Sequence, residues 1–215
     1  MKLGRLLSIS IPFLCATSLF AQGERFNVYG DYSFIQFNPT ITGIQSRAFN
    51  GGGGGVQFNF AKIFGIRADL QGYGSTQWTL TASAPIVTPH GTIPAGTFTS
   101  SGNMFTYAFG PVVRVPFGRL VINGEILFGQ SNTNGYGALT TQIVNAGGTI
   151  NVSGTQHPFT MLVGGGVDLD LTHHIALRLV DLDYVLTRYT NPLTSTNNQN
   201  SFRYVGGIIF KFGEH

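Results

Sequence analysis

Charge is scarce in this chain. Lys, Arg, Asp and Glu together make up 10% of its 215 residues, against roughly 25% in a soluble domain. Cysteine occurs once, at Cys15, and tryptophan once. After the N-terminal segment no stretch of about 18 residues stays apolar, so no helical membrane span is expected. Each scarcity excludes something. A lone cysteine near the N-terminus leaves the rest of the chain without a disulfide framework, thiol nucleophile or cysteine metal site. The formal net charge is +3. Removing residues 1–21 takes away Lys2 and Arg5 and leaves +1. With no basic patch, a nucleic-acid partner is not expected.

The N-terminal segment reads as a secretory signal peptide. Lys2 and Arg5 form a basic start, residues 6–20 an apolar core, and Ala21 the residue before cleavage. The apolar core is short for a membrane-spanning helix, which needs about 20 residues. Leu14 precedes Cys15 and Pro12 stands three residues before it, which does not fit a lipoprotein signal. The expected organisation is a signal peptide over residues 1–21 and one β-barrel domain over residues 22–215.

What the chain has in quantity is alternation. Val56-Gln57-Phe58-Asn59-Phe60, Ile66-Arg67-Ala68-Asp69-Leu70 and Leu120-Val121-Ile122-Asn123-Gly124-Glu125-Ile126 each put apolar side chains on one face and polar or charged ones on the other. This pattern recurs in eight segments: 25–37, 53–61, 64–73, 103–114, 119–130, 158–170, 174–187 and 201–212. Short and long connections alternate between them. A polar face this rich in charge suits a lumen and a greasy face suits lipid, the pattern of a transmembrane β-barrel. A soluble barrel carrying a ligand inside would want an apolar cavity. The expected fold is all-β, an eight-stranded antiparallel up-and-down transmembrane barrel. Closure leaves no edge in lipid. The short turns then face the periplasm and the long connections lie outside.

Two places strain the pattern. Pro111 lacks an N–H in a strand that needs one, so a bulge or a position near the periplasmic rim is expected. In the seventh strand Arg178 falls on one face, and Asp181 and Asp183 on the other. A β-bulge between Leu179 and Asp183 would bring all three inside; otherwise the aspartates lie above the membrane.

In this register Arg67, Asp69, Glu125, Arg178 and Arg203 point into the lumen, with Asp31, Asp168 and Lys211 as further candidates. Eight strands leave a lumen just wide enough for side chains to fill. Buried charges there must pair, and the near-balance of sign favours pairing. A rigid plug is the first expectation, and a gate or narrow pore for small solutes or ions the alternative. Glu125, alone among acids in its strand, is expected to pair with one or more lumen arginines, Arg178 and Arg203 being the best candidates. The run Gly51 to Gly55 lacks the Lys-Ser/Thr and helix of a phosphate loop. It leaves room beside bulky lumen side chains or permits twist. The five histidines have no metal-ligand spacing, and no His stands beside a Ser on a strand. Neither an enzyme, such as a lipid-modifying one, nor a cofactor is therefore expected.

Phe109-Gly110-Pro111, the run from Leu177-Arg178 to Asp183-Tyr184, and the last strand from Phe202 to Phe212 are similar to those of the outer-membrane β-barrel domain family, the OmpA/OmpX-like small barrels. That resemblance covers the whole chain after the signal peptide. It implies residence in the cell outer membrane as a monomer among its lipids. It also implies a C-terminal signal for the barrel-assembly machinery, carried by Ile208, Phe210 and Phe212, although Gly213, Glu214 and His215 follow where a terminal Phe is usual. The expected role is structural or surface-interacting, adhesin-like, through the long connections 74–102 and 131–157. Their alternating stretches, Thr97-Phe98-Thr99 and Thr149-Ile150-Asn151-Val152-Ser153, are expected to project as sheet above the membrane and offer an edge to a partner.

Overall fold

A computed structural model describes residues 25–38, 47–134, 136–151, 153–188 and 198–213. The expected signal peptide, residues 1–21, lies outside them. Eight strands close into one antiparallel barrel: β1 (Phe26–Asn38), β2 (Arg47–Asn59), β3 (Phe64–Ala82), β6 (Gly96–Phe117), β7 (Leu120–Thr133), β9 (Phe159–Asp170), β10 (Ile175–Arg188) and β11 (Asn198–Phe212). Each strand pairs with its sequence neighbours, and β11 returns to β1 with Phe26 opposite Phe212. Beyond the barrel lie β4 (Ile86–Thr88), β5 (Gly91–Ile93), a helix α1 (Tyr136–Asn145) and β8 (Thr149–Ile150).

The alternation sorts side chains as the pleat requires. Asn27, Tyr29 and Ser33 of β1 are buried, whereas Phe26 and Tyr32 are exposed. Around the barrel Ile66, Leu70, Ile122, Ile126, Leu182 and Ile208 face outward. Aromatic side chains gather at both ends of this aliphatic belt. Phe58, Phe60, Phe64, Phe117 and Phe212 stand by the short turns, and Tyr107, Tyr184, Phe202 and Tyr204 toward the long connections, with Phe105 one outward step further toward the cap than Tyr107. Such an inverted surface with two aromatic girdles is what a bilayer selects.

Pro111 faces Ile66 of β3, two residues from that strand's start. On its other side the ladder to β7 runs from the Phe109–Phe128 pair to the Val112–Glu125 pair without a change of register. The missing N–H is therefore absorbed by a gap near the rim, not by a bulge. β10 does carry a bulge: its register shifts after Arg178 against both β9 and β11. Arg178, Asp181 and Asp183 are all buried as a result, while Leu179 stays exposed.

Several connections are shorter than the sequence suggests. β2 begins at Arg47 rather than at residue 53, and β11 at Asn198 rather than at residue 201. β6 runs on to Phe117, so the following turn is Gly118-Arg119, with Gly118 at φ 61°. The connection 74–102 is largely sheet, because β3 extends to Ala82 and pairs with β6 from Gly96. A one-residue bulge between Tyr73 and Thr76 marks where this hairpin passes the barrel's last full ring.

Above it, β4, β5 and β8 form a small sheet in that order. Leu80, Ile93, Phe98, Leu139 and Ile143 share a separate core there, with Ile150 against it. The helix α1 was not expected. It buries Leu139 and Ile143, four residues apart on one face. A Schellman motif stops it: Gly148 N–H reaches Ile143 O at 2.9 Å, Gly147 N–H reaches Val144 O at 3.0 Å, and Gly147 has φ 85°. The Gln142 amide clasps the β6 backbone, accepting from Thr99 N–H at 3.0 Å and donating to Thr99 O at 2.6 Å.

The register gives a direct test. Ile122 faces outward and Asn123 inward, hydrogen-bonded to Asp168 at 2.7 Å. Ile122→Arg is expected to cost about 2–4 kcal/mol of stability, and Ile122→Leu almost nothing. Reversible urea unfolding in lipid vesicles measures both.

The barrel lumen as candidate functional site

The inward side chains form layers along the barrel axis. The middle layer is charged. Arg67 of β3 is ion-paired with Glu125 of β7 and lies 3.1 Å from Asp181 of β10. Its Nε donates to Gln57 Oε1 at 3.0 Å. Arg203 of β11 binds Asp69 at 2.6 Å and Asp183 at 2.8 Å, with Glu125 at 3.8 Å. Arg178 holds Asp168 at 3.3 Å and Asp181 at 3.5 Å. The Tyr29 ring lies 4.5 Å from the Arg178 guanidinium and 5.5 Å from that of Arg67, and its hydroxyl donates to Asp69 at 3.1 Å. Gln71 donates to Asp31 at 2.8 Å and to Asp69 at 3.3 Å. Nearer the short turns, Lys211 pairs with Asp170 at 2.7 Å.

Arg67, Asp69, Glu125, Arg178 and Arg203 thus meet in one network. One detail differs from the sequence reading. Glu125 pairs first with Arg67 and then with Arg203, while Arg178 is engaged by Asp168 and Asp181. Among the described residues five carboxylates, Asp69, Glu125, Asp168, Asp181 and Asp183, are buried with four cations, Arg67, Arg178, Arg203 and, nearer the short turns, Lys211. Carboxylate oxygens of Glu125, Asp181 and Asp183 lie within 4.8 Å of one another, gathered by the arginines between them. Reading register alone could not choose between β3, β10 and β11 as partners of Glu125. Strand tilt sets which side chains meet across a lumen.

Glycine supplies the space. Gly55 pairs with Asp69, Gly110 with Arg67, Gly164 with both Glu125 and Asp183, Gly166 with Asp181, and Gly207 with both Arg178 and Asp31. A Cβ on Gly164 would strike the Asp183 side chain, and one on Gly55 the Tyr29 hydroxyl. The glycine run of β2 and the Gly164–Gly166 run of β9 are therefore the hollows into which the charged layer fits.

Apolar layers close the network on both sides, and these the sequence reading missed. Toward the long connections, the inward position after Glu125 is Leu127, after Asp183 Val185 and after Gln71 Tyr73. These pack with Ile35, Met104, Ala108 and Leu162, and Leu127 and Leu162 are fully buried. Thr106, between Met104 and Ala108 on β6, joins Ser131 and Thr160 in a chain of hydroxyl contacts at 2.9 and 2.8 Å within this layer. Toward the short turns, Tyr29, Ala176 and Ile209 pack together. Ile208, Phe210 and Phe212 point outward instead, and Phe212 lies 6.4 Å from the Phe26 ring.

The pairing predicts unequal couplings. Removing one partner of a buried pair strands the other and costs about 3–5 kcal/mol. Double-mutant cycles in lipid are expected to give Glu125 a coupling of about 2 kcal/mol with Arg67. With Arg178, linked to it by way of Asp181 and Arg67, the coupling should be smaller, about 0.5 kcal/mol. Equal couplings would refute this arrangement.

No protein-family model matches the chain, and no curated protein matches it either. Solved structures do match. Neisserial surface protein A (NspA) aligns with a TM-score of 0.55 at 11% identity, covering 87% of this chain and 97% of its own. The outer membrane protein OprG from Pseudomonas aeruginosa gives 0.55 at 12% identity, covering 89% and 97%. Ail, the attachment invasion locus protein of Yersinia pestis, in complex with the heparin analogue sucrose octasulfate, gives 0.50 at 10% identity, covering 88% and 100%. At such identities the likeness is one of architecture: this chain has the fold of the small OmpA/OmpX-like barrels, an eight-stranded transmembrane β-barrel.

Proposed function

We propose that this protein is a small bacterial outer-membrane barrel with a structural or surface-interacting, adhesin-like role. Its lumen is a plug and its working surface is the part beyond the membrane. The observation that carries this reading is the layered lumen. A charged network whose arginines each bind two or more carboxylates is followed by a layer containing the fully buried Leu127 and Leu162. An apolar constriction excludes water and ions, and paired charges beneath it hold the strands rigid. The cap of β4, β5, β8 and α1 supports the same reading, since it has its own small core.

The rest of the proposal follows from location. Residues 1–21 direct export and are removed. The outward aliphatic belt and its aromatic girdles contact outer-membrane lipids. The Ile208, Phe210 and Phe212 face of β11 is read by the barrel-assembly machinery, and the folded protein is a monomer. Its chemistry is recognition and not catalysis. The solved relatives named above are outer-membrane or surface proteins, and Ail is named for attachment and invasion.

Planar-bilayer recording of the refolded protein tests the plug, with no steady conductance expected; a stable open level would establish the narrow-pore alternative instead. Replacing residues 83–95 or 137–154 by short turns is expected to remove binding to target cells. Heat-modifiable gel migration, the mark of a closed barrel, should be retained.

A further inference from the structure

We propose that the external cap binds a neutral saccharide, at a cavity formed where β3, β6 and β7 leave the barrel; this deepens the surface-interaction reading and rests on it. The first observation is where charge is absent. From Leu70 to Val113 the sequence contains no Asp, Glu, Lys or Arg, and from Ile126 to Val167 again none. These two stretches supply all of β4, β5, β8 and α1 and the projecting parts of β3 and β6. Sulfated, phosphorylated or sialylated ligands are held by guanidinium and ammonium groups, and this part of the chain has none. What it has is Thr, Ser, Asn and Gln, which both donate and accept hydrogen bonds without charge. A sugar hydroxyl does the same.

The second observation is the cavity itself. Its volume is about 460 Å³, within the roughly 300–1,000 Å³ of small-ligand clefts. Asn103, Asn132, Asn134 and Thr155 line it with the exposed ring of Phe105. A few polar groups beside one aromatic ring is a composition that orients a hydroxylated, partly apolar ring. The lining is also fixed in advance. Asn103 N–H donates to Asn134 Oδ1 at 3.2 Å, which leaves the Asn134 NH2 as the donor to a ligand. Thr133 Oγ1 donates to Asn103 O at 3.2 Å, and Thr133 pairs through its backbone with Gln156 at 3.0 and 3.1 Å. Asn132 Oδ1 is bonded to His157 Nδ1.

The third observation is that the cavity borders two glycines with room beside them. A Cβ on Gly72 would meet only Gly52 O, at 3.8 Å, and one on Gly74 only Asn50 O, at 3.6 Å. Neither glycine has a positive φ. A large side chain at Gly74 can therefore occupy the site without straining the strand.

The test uses the full mature barrel, refolded in nanodiscs. Its probes are immobilised neutral gluco-, galacto- and manno-oligosaccharides alongside sulfated and sialylated ones. Binding to at least one neutral series is expected, unchanged between low and high salt because no charge pair contributes. Asn134→Ala is expected to weaken it about fivefold, the effect of one lost hydrogen bond, and Phe105→Ala at least as much. Gly74→Phe should abolish it while gel migration stays that of a folded barrel. If that variant does not fold, the two alanine variants decide. Free oligosaccharide and vesicles of neutral-core lipopolysaccharide separate a foreign glycan from the protein's own membrane, and binding to either sustains the inference. A preference for sulfated or sialylated sugars that fades with salt overturns it, as does failure to bind any neutral series. If sugars fail but cell binding still depends on the cap, only the saccharide inference falls. If cell binding fails as well and the barrel conducts, the surface-interaction reading falls with it.

Discussion

The narrowness of an eight-stranded lumen governs the rest of this structure. So small a ring leaves no bulk water to solvate a side chain at its centre, so every inward charge must find its counterpart in protein. Arg67, Arg178 and Arg203 answer that need because a guanidinium can serve several carboxylates at once. The planar fork of Arg203 spans Asp69 on β3 and Asp183 on β10. Through such links strands far apart in sequence are tied across the barrel axis as well as along its wall. The glycines of β2, β9 and β11 belong to the same constraint. They are absent side chains whose volume is occupied by someone else's.

Charge is thereby segregated. The lumen and the short-turn end hold nearly all of it, the outward belt is aliphatic, and the cap is neutral. Each zone matches the solvent it meets. Paired ions sit where partners can be fixed, hydrocarbon where lipid lies, and amides and hydroxyls where water is free. The cap keeps a core of its own, Leu80, Ile93, Phe98, Leu139 and Ile143, distinct from the lumen's apolar layer of Ile35, Tyr73, Met104, Ala108, Leu127, Leu162 and Val185.

Alternation made the barrel legible, because a half-buried strand writes its two faces into the sequence. The inward direction of Arg67, Asp69, Glu125 and Arg203 and the need for an extra residue in β10 both came from that rule. It fails where alternation is weak. Gly51 to Gly55 carries no side chains to alternate, so the start of β2 is hidden. The projecting halves of β3 and β6 are rich in threonine and glycine, which read as loop. Helix α1 is a threonine-containing segment without charges at its ends; the Ala146-Gly147-Gly148 stop was its one clear mark. Partners across the lumen were not legible either. Glu125 meets Arg67 because of strand tilt, which no local pattern records.

The bulge after Arg178 also says something about how this gene can vary. In a regular strand a lost residue exchanges the two faces of everything beyond it. β10 already contains one such exchange, held in place by neighbours that stay in step on either side. Losing one codon at Leu179 or Val180 would remove the extra residue and leave Arg178, Asp181 and Asp183 on the inner face of a regular strand, whereas losing two would turn both aspartates toward lipid. At this point the strand can shorten by a single residue without exchanging its faces, a freedom that its regular stretches lack. Single-residue deletions in natural variants should therefore fall in the loops and at this bulge, and not in the regular stretches of the strands.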